Sequence, residues 1–314
     1  MMKKRWLLFC FCACLITAGA QKKVSPVYQR EISMITENDA YLGQQKDAYY
    51  TNGFFVSLRH LSHAPQKKMV QYEMGQMIYT PLIRKTLLPA DIDRPYCGYL
   101  YFQYSEEKFS HKDEVLQYWA RMDVVGEASF GESVQNSYHR LLHYSRFTGW
   151  AYQVQNALGA DLGISYAATL LEDSSWIKLV PVGRASLGSS LTYAGIGNYL
   201  CIGSFEKNAN SAMWNARIQN RPALLRRNHE CYFFWYPELL FQGYNATIQG
   251  GLFAKGEGAV LSDPRRWMFQ QTLGICYAAD RWTAQVAYVH QSKEAVTQTR
   301  DQDYGSIKLS YRMH

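Results

Sequence analysis

Two separated stretches of this 314-residue chain carry side chains able to do chemistry together. The first runs from Glu37 to Phe55, ENDAYLGQQKDAYYTNGFF, with Asn38 and Asp39 at the end of one alternating segment and Thr51 and Asn52 at the start of the next. A carboxylate and an amide carbonyl are hard oxygen donors, suited to Ca²⁺ rather than Zn²⁺. The second is SFGESVQNSYHRLLHY from Ser129, in which Gln135 and His139 stand four apart and share one face of a helix. An imidazole titrates near neutrality, so His139 is a candidate base toward a water attacking an ester, with His143 one turn on as its rival. Taken singly, each has a plainer reading: loop polarity for Asp39, a helix-boundary residue for His139.

Other chemistries lack their residues. The chain has no G-x-S-x-G elbow, no H-E-x-x-H and no Walker loop. Direct attack by an activated water, with a cation polarising the carbonyl, needs only a base and oxygen ligands. Those residue types are present.

The elements that must position these groups follow from the N-terminus onward. Residues 1–20 combine Lys3, Lys4 and Arg5 with an apolar run and a closing Ala18-Gly19-Ala20, the pattern of a secretory signal peptide that leaves Gln21 first and 21–314 as one domain. Its loss takes three positive charges and lowers the formal net charge from +7 to +4. That balance suits an anionic lipid surface and gives no reason to expect nucleic acid. No later segment offers 18 consecutive apolar residues, so a membrane-embedded chain would have to be a closed barrel. Cys97, Cys201, Cys231 and Cys276 lack metal-ligand spacing and read as small apolar residues on a sheet.

Aromatic residues make up 15% of the chain, 24 of them Tyr, and apolar residues recur at period two. In Glu114 to Gly126, Leu116, Tyr118, Ala120, Met122 and Val124 alternate with Val115, Gln117, Trp119, Arg121 and Asp123. Thirteen such segments can be marked, among them 69–79, 229–241 and 246–255. Single-chain barrels favour even strand numbers, so about 12 strands are expected. Period two alone would also fit a soluble β-sandwich. Tyr49-Tyr50, Tyr99, Tyr101, Trp119, Trp235-Tyr236, Trp267 and Trp282 sit at segment ends, where interfacial girdles would place them. The rhythm breaks at 129–145, where Phe130, Val134, Tyr138, Leu141 and Leu142 follow helical spacing and Ser129 with Glu132 forms a capping-box pattern. A short extramembrane loop helix is expected there.

Four blocks in order, ENDAYLG, DAYYTNGF, DRPYCGYLY and VVGEASFGESVQNSYHRLLHYSRFTGWAYQVQN, resemble the outer-membrane lipid A 3'-O-deacylases of the LpxR type. The resemblance implies an all-β transmembrane antiparallel barrel in the outer membrane. Its active site would lie between the wall and a loop helix, toward the outer leaflet, and perform Ca²⁺-dependent hydrolysis of the 3'-linked acyloxyacyl ester of lipid A. Carried over residue by residue, it makes Asn38 and Asp39 metal and catalytic residues, Thr51 the reacting-group orienter and His139 the base. Arg94, Gln135 and Trp150 become substrate contacts, Arg94 as a grip on lipid A phosphate, with an interior Arg satisfied by barrel carboxylates as its plainer reading. The expected partners are lipopolysaccharide and outer-membrane lipid, with the barrel a monomer. Ala157 and Leu158 stand where many relatives carry an acid, and His314 ends the chain instead of an aromatic residue. A non-enzymatic lipid-binding barrel and an outer-membrane phospholipase remain alternatives, the second separable from the deacylase by a lipid panel.

Overall fold

The computed structural model describes residues 27–43, 48–62, 66–83, 88–141, 147–173, 176–222, 225–254 and 258–314. The signal-peptide reading of 1–20 and the rival base His143 lie outside them. Within this set the chain forms antiparallel strands β1 (Arg30–Asn38), β2 (Tyr49–Leu61), β3 (Lys68–Thr80), β4 (Cys97–Phe109), β5 (Glu114–Val125) and β6 (Ala157–Ala168). After a three-residue β7 (Leu171–Asp173) come β8 (Ile177–Gly188), β9 (Leu191–Ser204), β10 (His229–Asn245), β11 (Trp267–Ala279), β12 (Trp282–Gln291) and β13 (Gln302–Met313). Pairing of β1 with β13 and of β6 with β8 closes the twelve long strands into a barrel, with β7 a short flap on β8. Closure leaves no sheet edge, the condition a lipid-embedded sheet must meet. No described helix is long and apolar enough to cross a membrane.

Each strand shows why period two dominates. In β5, Val115, Trp119 and Asp123 are buried inside while Tyr118, Ala120 and Met122 are exposed outside. The interior is polar and paired: Glu31 with Arg312 at 3.0 Å, Lys178 with Asp113 at 3.2 Å, Arg217 with Glu230 at 3.0 Å. Buried charges persist only in such pairs. Segments 69–79 and 229–241 are strands, whereas 246–255 is not. Asn245 accepts from the Thr247 backbone N–H at 3.0 Å and starts a single helical turn, α2 (Ala246–Gln249), and Gly250 at φ 81° ends it. Of the proposed girdle, Trp235, Trp267 and Trp282 face outward. Tyr49, Tyr50, Tyr99, Tyr101 and Trp119 are buried, and Tyr50, Tyr99 and Tyr101 border a cavity of about 290 Å³ inside the barrel.

The two rims differ. At the rim where β1 begins and β13 ends, the connection between β9 and β10 tucks inward, and its Ala216 and Ile218 are buried in a cluster with Leu61, Met69 and Val182. Arg59 and Lys67 each donate at 2.6 Å to its backbone carbonyls, at Trp214 and Ala216. This connection forms a plug packed into one mouth of the barrel. The opposite rim carries the only described α-helix longer than one turn, α1 (Gly131–Leu141).

Candidate active site

The β1–β2 hairpin places Asn38 directly opposite Asn52. The Asn38 Nδ2 donates to Asn52 Oδ1, and its Oδ1 accepts from the Ala40 N–H at 2.7 Å. Asp39 is buried and its Oδ2 accepts from the Ala48 N–H at 3.0 Å, tying the two ends of the connection together. Thr51 is the extra residue of a bulge, because β2 pairs with β3 through Tyr50 and Asn52 but skips it. Bulges re-aim side chains, and here Thr51 Oγ1 donates to the Ile78 carbonyl at 3.2 Å. Since Glu37 points inward to Tyr50 (2.6 Å), Asn38, the next residue, lies on the outer surface of the wall.

Helix α1 lies on that outer surface. It begins after a 3-10 turn (Glu127–Ser129), and Phe130 takes the left-handed conformation between them. The expected capping box is not formed: Ser129 Oγ donates to the Gly126 carbonyl at 2.5 Å and accepts only a 3.4 Å contact from Gly131 N. Helix and wall meet through two glycines. A Cβ on Gly98 of β4 would stand 2.9 Å from the Gly131 Cα, and one on Gly131 2.7 Å from the Gly98 Cα. Gln76 of β3 then donates to the Ser129 carbonyl at 2.6 Å, and Gln135 reaches Thr51 of β2 at 3.5 Å. The helix therefore crosses the strands in the order β4, β3, β2.

Its buried residues are Gly131, Gln135 and His139. Trp150, in the turn Gly149–Tyr152, donates from Nε1 to Gln135 Oε1 at 3.1 Å, completing a chain Trp150–Gln135–Thr51. Gly149 is required there, because a Cβ would stand 2.4 Å from the Tyr96 ring. His139 is 3% exposed and meets Phe147 edge to face at 4.7 Å. Four residues of helix rise about 6 Å, so His139 lies one turn beyond Gln135 along the direction in which α1 runs from β4 to β2.

The structure thus joins Thr51, Gln135 and Trp150 in one hydrogen-bonded chain beside the Asn38–Asn52 pair, with Asp39 at the end of the same hairpin strand and His139 buried one turn beyond Gln135 on the same helix face. Gln135 and Trp150, expected as substrate contacts, are fully buried and hold α1 in place. Arg94 is not part of this arrangement. Fully buried, it donates to Glu294 Oε2 at 2.7 and 3.2 Å, to Thr247 at 3.0 Å and to the Pro95 carbonyl at 3.2 Å, and lies 3.8 Å over Tyr79. That pairing occupies the fork a phosphate would need. Sequence reasoning passed over Asn52 as a site residue and Phe147 altogether; the register opposite Asn38 identifies the first. Ala157 packs near Gly251 and Leu158 points outward from β6, so their departure from the acidic pattern falls away from Thr51 and His139.

Among the described residues no cluster of three His, Cys, Asp or Glu side chains could hold a metal. The hairpin instead offers one carboxylate, Asp39, with the amide oxygens of Asn38 and Asn52 and the Thr51 hydroxyl. Those are hard donors compatible with Ca²⁺, at a low charge count that implies modest affinity.

Comparison with known proteins gives a consistent result. The chain is similar to a solved structure of LpxR from Salmonella typhimurium, with a TM-score of 0.74 and 17% identity over 90% of this chain and 99% of that one. It is more distantly similar to the β domain of the Bordetella autotransporter BrkA, with a TM-score of 0.48 and 9% identity over 92% and 99% of the two chains. A search of curated proteins by sequence returns no match. The family profile described as "Outer membrane protein LpxR" matches residues 7–313, nearly the whole chain, and with the closed barrel this establishes that the protein belongs to the LpxR family of outer-membrane proteins.

Proposed function

We propose that this barrel is a Ca²⁺-dependent ester hydrolase that removes the 3'-linked acyloxyacyl chain from lipid A. The observation that carries the reading is a helix laid on the outside of the wall with its polar residues Gln135 and His139 buried, Gln135 reaching Thr51 next to the Asn52 that pairs with Asn38. A polar patch on the lipid-facing side of a barrel is costly unless it serves a substrate that arrives through the membrane. A lipid ester is such a substrate.

In this reading His139 takes a proton from the attacking water at an imidazole nitrogen and returns it to the leaving alcohol oxygen. Thr51 and Asn52 supply hydrogen-bonding groups toward the ester, and the Trp150–Gln135 pair keeps α1 seated so that the imidazole stays in reach. Calcium, held by the oxygens of Asp39 and Asn38, would supply positive charge against the developing oxyanion. Five of the six connections at the α1 rim are ten residues or longer, whereas at the opposite rim the inward-tucked connection between β9 and β10 is the one long connection and the 110–113 and 280–281 turns are short. Outer-membrane barrels place their longer loops outside the cell, which supports an active site toward the outer leaflet. The plugged mouth argues against a channel.

The test is mass spectrometry of lipid A incubated with the purified barrel in detergent, with Ca²⁺ or with a chelator. Loss of one acyloxyacyl unit in Ca²⁺ alone is the expected result. Hydrolysis of phospholipid but not lipid A would assign the site to a phospholipase. An intact lipid A pool under all conditions would leave a barrel without this activity.

A further inference from the structure

Helix α1 carries a second stripe that the site does not use. At about 100° per residue, Gly131, Gln135 and His139 form the wall-facing line, and Val134, Tyr138 and Leu141 form another about a quarter turn away, with the exposed Phe130 standing just before the helix. Val134, Tyr138 and Leu141 are 45, 42 and 76% exposed, and Phe130 62%. The flank on the other side of the wall-facing line is polar, with Glu132 and Asn136. Because Gly98 of β4, Ile78 of β3 and Asn52 of β2 are register partners and α1 meets Gly98 and the neighbouring Thr51, the helix lies across the strands and its two flanks look along them in opposite directions.

The surroundings decide which flank looks which way. Glu132 borders a polar cleft shared with Thr148, Trp150 and Gln153, residues of the connection that lies beyond the strand ends. The polar flank therefore faces away from the barrel's middle. The apolar flank faces back along the strands, toward Phe54 of β2, Met74 of β3 and Phe102 of β4, all outward and about half exposed. The stripe continues the apolar belt of the wall.

We infer that Val134, Tyr138 and Leu141 are embedded among the acyl chains of the leaflet surrounding the α1 rim, so that α1 is an interfacial helix that fixes the depth of the site in the membrane. A helix with one apolar and one polar flank lies in the interface plane with the apolar flank among the chains. Continuity with the wall's belt selects lipid as the occupant. The inference rests on the outer-membrane barrel and not on ester hydrolysis, and its test reads no activity.

A bimane probe is attached at Val134→Cys or at Ser133→Cys, which points away from the wall, in full-length mature chain with the exposed Cys231 changed to Ser. The barrel is reconstituted in vesicles whose phospholipid carries a spin label high on the acyl chain. The expected result is loss of most of the Val134 probe's fluorescence to the spin-labelled lipid with little to aqueous iodide, and the reverse at Ser133. Equal iodide quenching at the two positions would overturn the inference. So would shielding of the Val134 probe from both quenchers that disappears on dilution into excess lipid, which would assign the flank to a second copy. Unsubstituted protein provides an independent reading: a diazirine in the acyl chain should label the 130–141 peptide, and absence of label there, with the wall strands labelled, also rejects it.

Discussion

Replacing His139 by glutamine separates chemistry from packing. Loss of a general base lowers a rate by about 10²- to 10⁴-fold, equivalent to roughly 2.7–5.5 kcal/mol in the barrier. Against this stands a structural cost, because the imidazole is buried and packs on Phe147 with ring centroids 4.7 Å apart. An aromatic contact of that kind contributes about 0.5–1.5 kcal/mol, well below the chemical term. The matching control is Phe147→Leu, which removes the same ring contact and keeps the imidazole. Fatty-acid release from lipid A in detergent is measured for both variants, with the heat-dependent electrophoretic shift of the barrel as the folding check. His139→Gln should lose at least two orders of magnitude while remaining folded, and Phe147→Leu less than one. Equal losses would show that the ring acts through packing, and the base would have to be sought elsewhere. His143→Ala completes the set: a loss equal to that of His139→Gln would remove the assignment to His139.

Asp39→Asn keeps an acceptor for the Ala48 N–H but removes the carboxylate charge, so hydrolysis should need more Ca²⁺; an unchanged calcium titration would exclude Asp39 as a ligand. Arg94→Met leaves Glu294 buried without its cation and should destabilise the barrel by about 3–5 kcal/mol, while the ratio of rates on phosphorylated and dephosphorylated lipid A stays that of the wild type. A changed ratio would restore Arg94 as a phosphate contact. Trp150→Phe removes the donor to Gln135 Oε1 and should cost about 1–3 kcal/mol, visible as a lower temperature for the electrophoretic shift. At the opposite rim, burial lowers the Lys67 ammonium from its ordinary 10.5 to about 7. The unfolded chain then binds more protons than the folded one between those values, so the plug contact gains stability as pH rises from about 7 to 10.5. Proteolysis of 205–228 should slow across that window in the wild type and lose this dependence in Lys67→Met.

How far these groups could be located beforehand depended on the range of the interaction involved. Strand identity was legible because lumen and lipid alternate at every residue, and β5 splits into the two sets its sequence suggests. The exception, 246–255, alternates in composition, but the Asn245 cap and Gly250 turn it away from the sheet, a local interaction stronger than a weak period. The Asn38–Thr51 juxtaposition was legible because a hairpin joins the two ends. Arg94 was not, since nothing in its neighbourhood names Glu294, 200 residues on, as its partner.

Helix α1 shows a different kind of gap. Its period was visible, but the usual rule that an apolar stripe packs on protein would have turned it the wrong way round. On the outside of a membrane barrel the apolar flank has lipid to meet, and the contact with the wall is made instead by two glycines, a glutamine and a histidine. A buried glutamine needs polar partners, which is why the wall beneath it carries the bulged Thr51. The inverted helix and the bulge therefore answer the same requirement: a polar side chain placed on the lipid side of a wall must find its hydrogen bonds there. Changing either one should unseat the other. A Thr51→Val variant, which leaves Gln135 Nε2 without its acceptor, is expected to loosen α1 to the same degree as Trp150→Phe.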